Sequence, residues 1–118
     1  MLNVVVYPKC GTCRRAVKLF EENEIPFKKR HIVDEKLNAS EIKEIHTKSG
    51  LPIKKFFNSS GLKYRELGLK DKISDLTDEA CYALLATDGM LVKRPLVYAD
   101  DGVVTVGFKM DEYEKMWK

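Results

Sequence analysis

A Cys-x-x-Cys pair at a predicted strand-to-helix junction constrains this chain more than any other feature. Residues 2–7, ahead of the pair, are short, apolar and β-branched, which favours a buried strand. From the second cysteine onward, apolar residues recur with the period of a helix, at Cys13, Ala16, Val17 and Phe20. The spacing therefore predicts that Cys10 opens a helix and that Cys13 lies one turn inside it.

This position predicts different chemistry for the two thiols. The unpaired N–H groups and the dipole of a helix N-terminus favour an anion, and Arg14 and Arg15 add positive charge nearby. We therefore expect Cys10 to be a thiolate nucleophile. Cys13 falls on the apolar side of the helix within disulfide reach, as expected of a resolving cysteine.

Two other interpretations of the pair have less support. A zinc site needs four ligands, and the remaining candidates, Cys81, His31 and His46, form no second closely spaced pair. Two ordinary buried cysteines are disfavoured because loop-forming residues surround Cys10. We therefore expect no metal and no bound cofactor.

Composition limits the class of protein. The chain has 118 residues, 44% of them hydrophobic and 33% charged, which is typical of one soluble globular domain spanning 1–118. No apolar run approaches the roughly 20 residues that cross a bilayer, and Met1 leads directly into the first strand, so we expect neither a membrane span nor a signal peptide. Three cysteines suggest a reducing, cytoplasmic location. The net charge of +3 gives little support to direct nucleic-acid binding.

The rest of the chain alternates strand and helix signals. After the first helix we expect a basic, edge-like strand over 26–33 and a helix capped by Asn38 and Glu41 and ended by Gly50. Two short helical turns at 53–57 and 64–67 should follow, and then a helix that starts at Thr77. A hairpin with strands 96–99 and 103–106 and a closing helix over 111–117 complete the order. The helix that starts at Thr77 should bury Ala80, Cys81, Leu84 and Leu85, which makes Cys81 a packing residue.

This order predicts an α/β fold with a thioredoxin-like βαβ…ββα core. Its mixed four-stranded sheet should come from residues 1–33 and 94–118, with a helical insertion of about 36–92 between the second and third strands. In such folds a proline opens the third strand and its loop faces the redox motif. Pro95 occupies that place, so we expect a cis Arg94–Pro95 bond.

Several segments together resemble the glutaredoxin-dependent arsenate reductase family, which includes the Spx-type transcriptional regulators. The segments are Cys10-Gly11-Thr12-Cys13-Arg14, Gly50-Leu51-Pro52 with Phe56-Phe57-Asn58, Tyr64-Arg65-Glu66-Leu67-Gly68-Leu69, Lys93-Arg94-Pro95-Leu96-Val97 and Val106-Gly107-Phe108. They cover essentially the whole chain.

The resemblance implies an oxyanion site, with one departure from the family pattern. In arsenate reductases a cysteine at the position of Cys10 attacks arsenate and three arginines bind the oxyanion. Arg94 matches one arginine, whereas the other two positions fall at Asn58 and Gly107. The expected oxyanion-binding residues are therefore Gly11, Thr12, Asn58 and Arg94. The expected catalytic residues are Cys10, Cys13 and, again, Arg94.

Two functions follow from these residues. The first is a thiol–disulfide oxidoreductase acting on a small disulfide or oxyanion, arsenate included, with glutathione, glutaredoxin or thioredoxin as external reductant. Arsenate reductases commonly have serine at the position of Cys13, so the second cysteine shifts the expected chemistry from oxyanion binding toward dithiol exchange. The alternative is a redox-sensing Spx-type regulator that binds RNA polymerase through a Cys10–Cys13 switch. Spx-type proteins carry a basic C-terminal extension after the closing helix, so the end at Lys118 favours the enzyme.

Overall fold

The computed structural model describes residues 2–117, apart from the side chains of Met110, Glu114 and Met116. Strands and α-helices follow one another as β1 Leu2–Val6, α1 Gly11–Glu22, β2 Phe27–His31, α2 Ala39–Ser49, α3 Leu62–Glu66, α4 Leu69–Lys72, α5 Asp78–Thr87, β3 Leu96–Ala99, β4 Val104–Val106 and α6 Met110–Met116. Three 3₁₀ turns lie at Ile53–Phe56, Ile73–Asp75 and Gly89–Leu91. No helix within residues 2–117 is long and apolar enough to cross a bilayer.

The four strands form one mixed sheet in the order β2-β1-β3-β4, which confirms the predicted α/β fold. β1 pairs parallel with β2 and antiparallel with β3, and β3 pairs antiparallel with β4. Val5 lies opposite Leu96, so the end of β1 meets the start of β3. The segment that follows β1 and the segment that precedes β3 therefore reach the same edge of the sheet.

The sheet is buried on both faces. Because successive side chains of a strand point to opposite faces, Val4 packs with α1 and α6 whereas Val5 packs with the helices between β2 and β3. Tyr113 of α6 is fully buried and stacks between Phe20 and Phe108. The central strand that delivers the Cys-x-x-Cys segment is thus fixed by packing from two sides.

The predicted capping residues of two helices are confirmed. Asn38 accepts a hydrogen bond from the Glu41 backbone N–H at 2.8 Å, and the Glu41 carboxylate accepts one from the Asn38 N–H at 3.1 Å. Gly50 ends α2 in the left-handed conformation, with a φ of 68°. The Thr77 hydroxyl caps α5 by accepting from the Ala80 N–H.

Several predicted boundaries and faces differ in detail: the turn expected at 64–67 is α3 Leu62–Glu66, and the strand expected at 103–106 is β4 Val104–Val106. β1 ends at Val6 because Tyr7 already belongs to the turn into α1. β2 covers only Phe27–His31, since Pro26 has no N–H for the ladder and the chain turns after Ile32. The buried residues of α5 are Cys81, Tyr82 and Leu85, whereas Ala80 and Leu84 are half-buried.

Candidate functional site

Cys10 lies where the central strand passes into the first helix. A turn closed by the hydrogen bond from the Cys10 N–H to the Tyr7 carbonyl, at 3.0 Å, joins β1 to α1. Cys10 is the N-cap residue of α1, and its carbonyl accepts from the Arg14 N–H at 3.2 Å. The half-buried Cys10 side chain therefore stands beside the unpaired N–H groups of the first helical turn.

Hydrogen bonds and charge favour the ionised form of this thiol. Partial burial raises the pKa of Cys10 and is the largest single influence. It is outweighed by hydrogen bonds from the Thr12 hydroxyl, 3.0 Å away, from the Cys13 thiol and from the Cys13 backbone, together with the charge of Arg94. The net effect lowers the pKa of Cys10 from 9.0 to about 7.

Cys13 has the opposite character, although it is only three residues away. Its side chain is 1% exposed, on the apolar side of α1. Burial raises the pKa of Cys13 to about 12, and the hydrogen bond and charge of Cys10 act in the same direction. The structure therefore brings together one thiol poised to ionise and one held protonated, with all three cysteines of the chain reduced.

Arg94 supplies positive charge to this thiol pair. Its guanidinium lies over the Tyr7 ring, 5.3 Å from the centroid, and its Nη1 donates to the Met90 sulfur at 3.6 Å. Among the described residues Arg94 has no carboxylate partner, and its buried Nε has no hydrogen-bond acceptor. The charge of Arg94 lowers the pKa of both Cys10 and Cys13.

The other predicted site residues divide into two groups. Gly11 and Thr12 form the first turn of α1 beside Cys10, and the Arg94–Pro95 bond is cis. Asn58 lies in the loop after the 3₁₀ turn Ile53–Phe56: its N–H donates to the Leu91 carbonyl at 2.7 Å, and its Oδ1 accepts from the Ser60 hydroxyl at 3.4 Å. Its side chain therefore bonds within this loop, whereas its backbone is joined to the segment that leads to Arg94.

Gly107 occupies another position where the family resemblance implies an arginine. It has a φ of 80°, a conformation that side-chain-bearing residues rarely adopt. A Cβ built there would lie 3.3 Å from the Lys93 Cε. An arginine at this position would therefore be strained as well as crowded.

Tyr7 is a site residue that the sequence interpretation missed, because it was assigned to the strand alone. Its ring supports Arg94 and meets the His31 ring edge-on at 5.9 Å. Its carbonyl also closes the turn that presents Cys10. The available signal was its place as an aromatic residue immediately before the cysteine segment.

The predicted histidines and cysteine outside the site have structural roles. His31 accepts the backbone N–H groups of Val33 and Asp34 in the turn after β2. Cys81 is fully buried in the core. Over residues 2–117, no three His, Cys, Asp or Glu side chains lie close enough to hold a metal ion.

Removing the Thr12 hydroxyl is expected to raise the pKa of Cys10. In Thr12→Ala the thiolate loses one hydrogen bond, so the midpoint of peptide-resolved iodoacetamide alkylation should rise from about 7 by about one pH unit. Thr12→Ser should restore it. Thr47→Ala, which removes an exposed hydroxyl bonded to the Lys43 carbonyl, is the matched control. An unchanged midpoint in Thr12→Ala would contradict the role of this hydrogen bond.

Known proteins resemble this chain over most of its length. The chain is 50% identical to the uncharacterized protein YusI of Bacillus subtilis (strain 168) over 111 residues, covering 94% of this chain and 93% of that protein. It is 29% identical to the global transcriptional regulator Spx of Enterococcus faecalis over 115 residues, covering 98% of this chain and 85% of the regulator.

Solved structures also resemble this chain over nearly its whole length. An ArsC family related protein from Bacteroides fragilis superimposes with a TM-score of 0.92 at 48% identity, covering 97% of this chain and 95% of that one. A possible arsenate reductase from Streptococcus mutans UA159 superimposes with a TM-score of 0.87 at 40% identity, covering 97% and 98%. Residues 6–116, which include the thiol pair, Arg94 and the whole of α6, match the ArsC family. The chain belongs to the ArsC family.

Proposed function

We propose that this protein is a thiol–disulfide oxidoreductase with Cys10 as nucleophile and Cys13 as resolving thiol. The observation that carries the proposal is the opposed ionisation of two thiols in one helical turn, with the pKa of Cys10 lowered to about 7 and that of Cys13 raised to about 12. At pH 7 about half of Cys10 is then thiolate, against about 1% for a thiol of pKa 9.0. Only the thiolate attacks a disulfide.

The reaction proceeds in two exchanges. The Cys10 thiolate attacks one sulfur of a substrate disulfide, forms a mixed disulfide and releases the other half as a thiolate, which takes a proton from water. Cys13 then gives its proton to solvent and attacks the Cys10 sulfur, which closes the Cys10–Cys13 disulfide and releases the second half as a thiolate that is protonated by water. The substrate gains two electrons and the protein dithiol loses two.

The first exchange prepares the second. Two of the influences that raise the pKa of Cys13, the hydrogen bond and the charge of Cys10, belong to the reduced state of Cys10. They end when Cys10 becomes part of a mixed disulfide. The pKa of Cys13 then falls, so the resolving thiol is released only after the nucleophile has reacted.

An external reductant completes the cycle. Two electrons from glutathione, glutaredoxin or thioredoxin reopen the Cys10–Cys13 bond, without a bound cofactor. A reducing compartment such as the cytoplasm suits a chain whose three cysteines are all free thiols.

Arsenate is a weaker substrate in this proposal. Arg94 is the one guanidinium at the three positions where the resemblance implies arginines, because the other two positions hold Asn58 and Gly107. Each missing charge-assisted contact costs about 1.5–3 kcal/mol, so two of them weaken oxyanion binding by a factor on the order of hundreds or more.

Parallel assays test the proposal. The reduced protein is expected to reduce bis(2-hydroxyethyl) disulfide in a single turnover and to reduce arsenate, supplied with glutathione and glutaredoxin, at least about 100-fold less efficiently. A protein that reacts with arsenate efficiently, and loses that reaction in Arg94→Ala, would contradict the preference for disulfides. No reaction with any disulfide would refute the oxidoreductase itself.

A redox-sensing regulator is the second candidate. It is supported by the 29% identity to the Enterococcus faecalis regulator Spx together with the Cys10–Cys13 pair. In this role RNA polymerase would be the partner and the disulfide a switch. Binding of the reduced and oxidised protein to purified RNA polymerase tests it; a difference between the two forms supports the regulator, and equal or absent binding argues against it.

A further inference from the structure

A cavity of about 380 Å³ is lined by a group of lysines outside the thiol pair. It lies between the 3₁₀ turn Ile53–Phe56, the residues before β3, the end of β4 and the start of α6. Four ammonium-bearing side chains line it, from Lys54, Lys55, Lys93 and Lys109. The topology collects them from three separate parts of the chain, so we call it the lysine cavity.

The lining of the lysine cavity carries more positive than negative charge. Glu112 is the one acidic residue among its lining residues. Among the side chains that the structure describes, none of the four lysines forms an ion pair, whereas lysines elsewhere, such as Lys43 and Lys48, pair with glutamates. Like charges held around one cavity repel one another, and an anion bound between them relieves that repulsion.

Lys93 is anchored more firmly than a typical surface lysine. Its side chain is half-buried, and its N–H donates to the Phe56 carbonyl at 2.8 Å. The missing side chain of Gly107 leaves room for its stem, because a Cβ there would approach the Lys93 Cε to 3.3 Å. Apolar residues, including the buried Phe57, complete the cavity wall.

The lysine cavity lies next to segments of the thiol site: the Gly107 N–H donates to the Pro95 carbonyl at 2.9 Å, which joins the end of β4 to the residue after Arg94. Lys93 directly precedes Arg94, and the lining residues Ser59 and Val106 adjoin Asn58 and Gly107. Asn58 and Gly107 are the positions where the family resemblance implies oxyanion-binding arginines. Positive charge is therefore present beside these two positions, but it is carried by the lysines that line the cavity and not by arginines at the positions themselves.

We infer that the lysine cavity binds the carboxylates of a small anionic disulfide whose sulfur is attacked by Cys10. This inference rests on the proposed oxidoreductase function. Lysines act as mobile point charges and suit carboxylates spread over a flexible molecule, whereas a compact tetrahedral oxyanion favours the fixed forks of arginines. A cavity of about 380 Å³ also falls within the range of small-molecule sites. When the substrate is such a disulfide, a thioredoxin-type dithiol supplies the two electrons that regenerate the protein.

Charge-matched disulfides test the inference. The quadruple variant Lys54→Gln, Lys55→Gln, Lys93→Gln and Lys109→Gln removes the charge of the lysine cavity. Its single-turnover rate constant with oxidised glutathione, a polycarboxylate, is expected to fall about 10-fold or more. The rate constant with neutral bis(2-hydroxyethyl) disulfide should change less than about twofold, and that with cationic cystamine should not fall.

A second quadruple variant distinguishes the effect of charge in the lysine cavity from the effect of the net charge of the protein. Lys28→Gln, Lys36→Gln, Lys70→Gln and Lys72→Gln changes the net charge equally but lies outside the lysine cavity. It should lose less than about threefold with oxidised glutathione. An equal loss in both variants, or no preference of the wild type for the anionic disulfide, would overturn the inference.

Binding can also be measured without reaction. Calorimetric titration of oxidised glutathione into Cys10→Ser should give an affinity that weakens about 10-fold or more in the lysine-cavity variant and not in the control variant. Failure of the wild type to react even with neutral disulfide would instead refute the oxidoreductase function. Reaction with neutral disulfide, without charge-dependent binding or rate, would refute the lysine cavity alone.

Discussion

Replacing Cys10 with serine is expected to abolish disulfide exchange, with a rate loss on the order of 10³ or more. A serine hydroxyl does not ionise near pH 7, so the hydrogen bonds and the Arg94 charge that stabilise the Cys10 thiolate have no nucleophile to act on. Stopped-flow single turnovers with bis(2-hydroxyethyl) disulfide, followed by intact mass, measure this loss. In the wild type, the rate should rise with pH through about 7 and level off above it, as the thiolate fraction does.

Cys13→Ser is expected to stop the reaction one step later. The first exchange needs only Cys10, so it should proceed within a few-fold of the wild-type rate and leave a stable mixed disulfide on Cys10. Cys81→Ala, which removes the thiol that is buried away from the site, should give the normal Cys10–Cys13 disulfide. Detection of a bridge to Cys81, or continued exchange in Cys10→Ser, would contradict the assigned roles.

Replacing Gly89 with alanine is expected to destabilise the fold strongly. Gly89 is buried at the start of the last 3₁₀ turn, and a Cβ there would lie 2.2 Å from the Ile32 carbonyl oxygen and 2.8 Å from its carbon. Backbone atoms cannot rotate away, so the end of β2 must shift. We expect a loss of about 2–4 kcal/mol in the free energy of unfolding, measured by urea denaturation, and a melting temperature lower by about 10 °C.

Gly11→Ala is the matched control for this prediction. A Cβ at Gly11 meets no atom within 4 Å, and the residue opens α1 with an ordinary backbone conformation. Its stability should change by less than about 0.5 kcal/mol. A Gly89→Ala protein as stable as Gly11→Ala would show that the contact with Ile32 relaxes at little cost.

The features that were predicted correctly are those set by neighbours in sequence. The Asn38–Glu41 capping box and the Gly50 helix end each depend on a few adjacent residues, so their residue types alone predict them. The order of strands and helices follows from the hydrophobic period in the same way. The parallel β1–β2 pair follows from a right-handed crossover and the β3–β4 pair from a short hairpin, whereas the β1–β3 pairing across the insertion was expected from the thioredoxin-like order of elements.

The features that were missed depend on distant residues. Tyr82 was left out of the buried face of α5, yet its hydroxyl pairs with the His46 ring on α2, which makes burial of a polar aromatic residue acceptable. The lysine cavity is a similar case, because Lys54 and Lys109 are far apart in the chain. No helical or strand period relates such residues, so only the tertiary structure brings them together.

The buried position of Cys81 makes this thiol a probe of local opening in the packing around α5. The three thiols differ in accessibility: Cys10 is half-buried, whereas Cys13 and Cys81 are buried in different helices. An alkylating reagent reaches Cys81 only when the packing around α5 opens, so its labelling rate reports the free energy of that opening. One mass-spectrometric time course can therefore read nucleophile reactivity and native-state fluctuation from the same molecule, without an added probe.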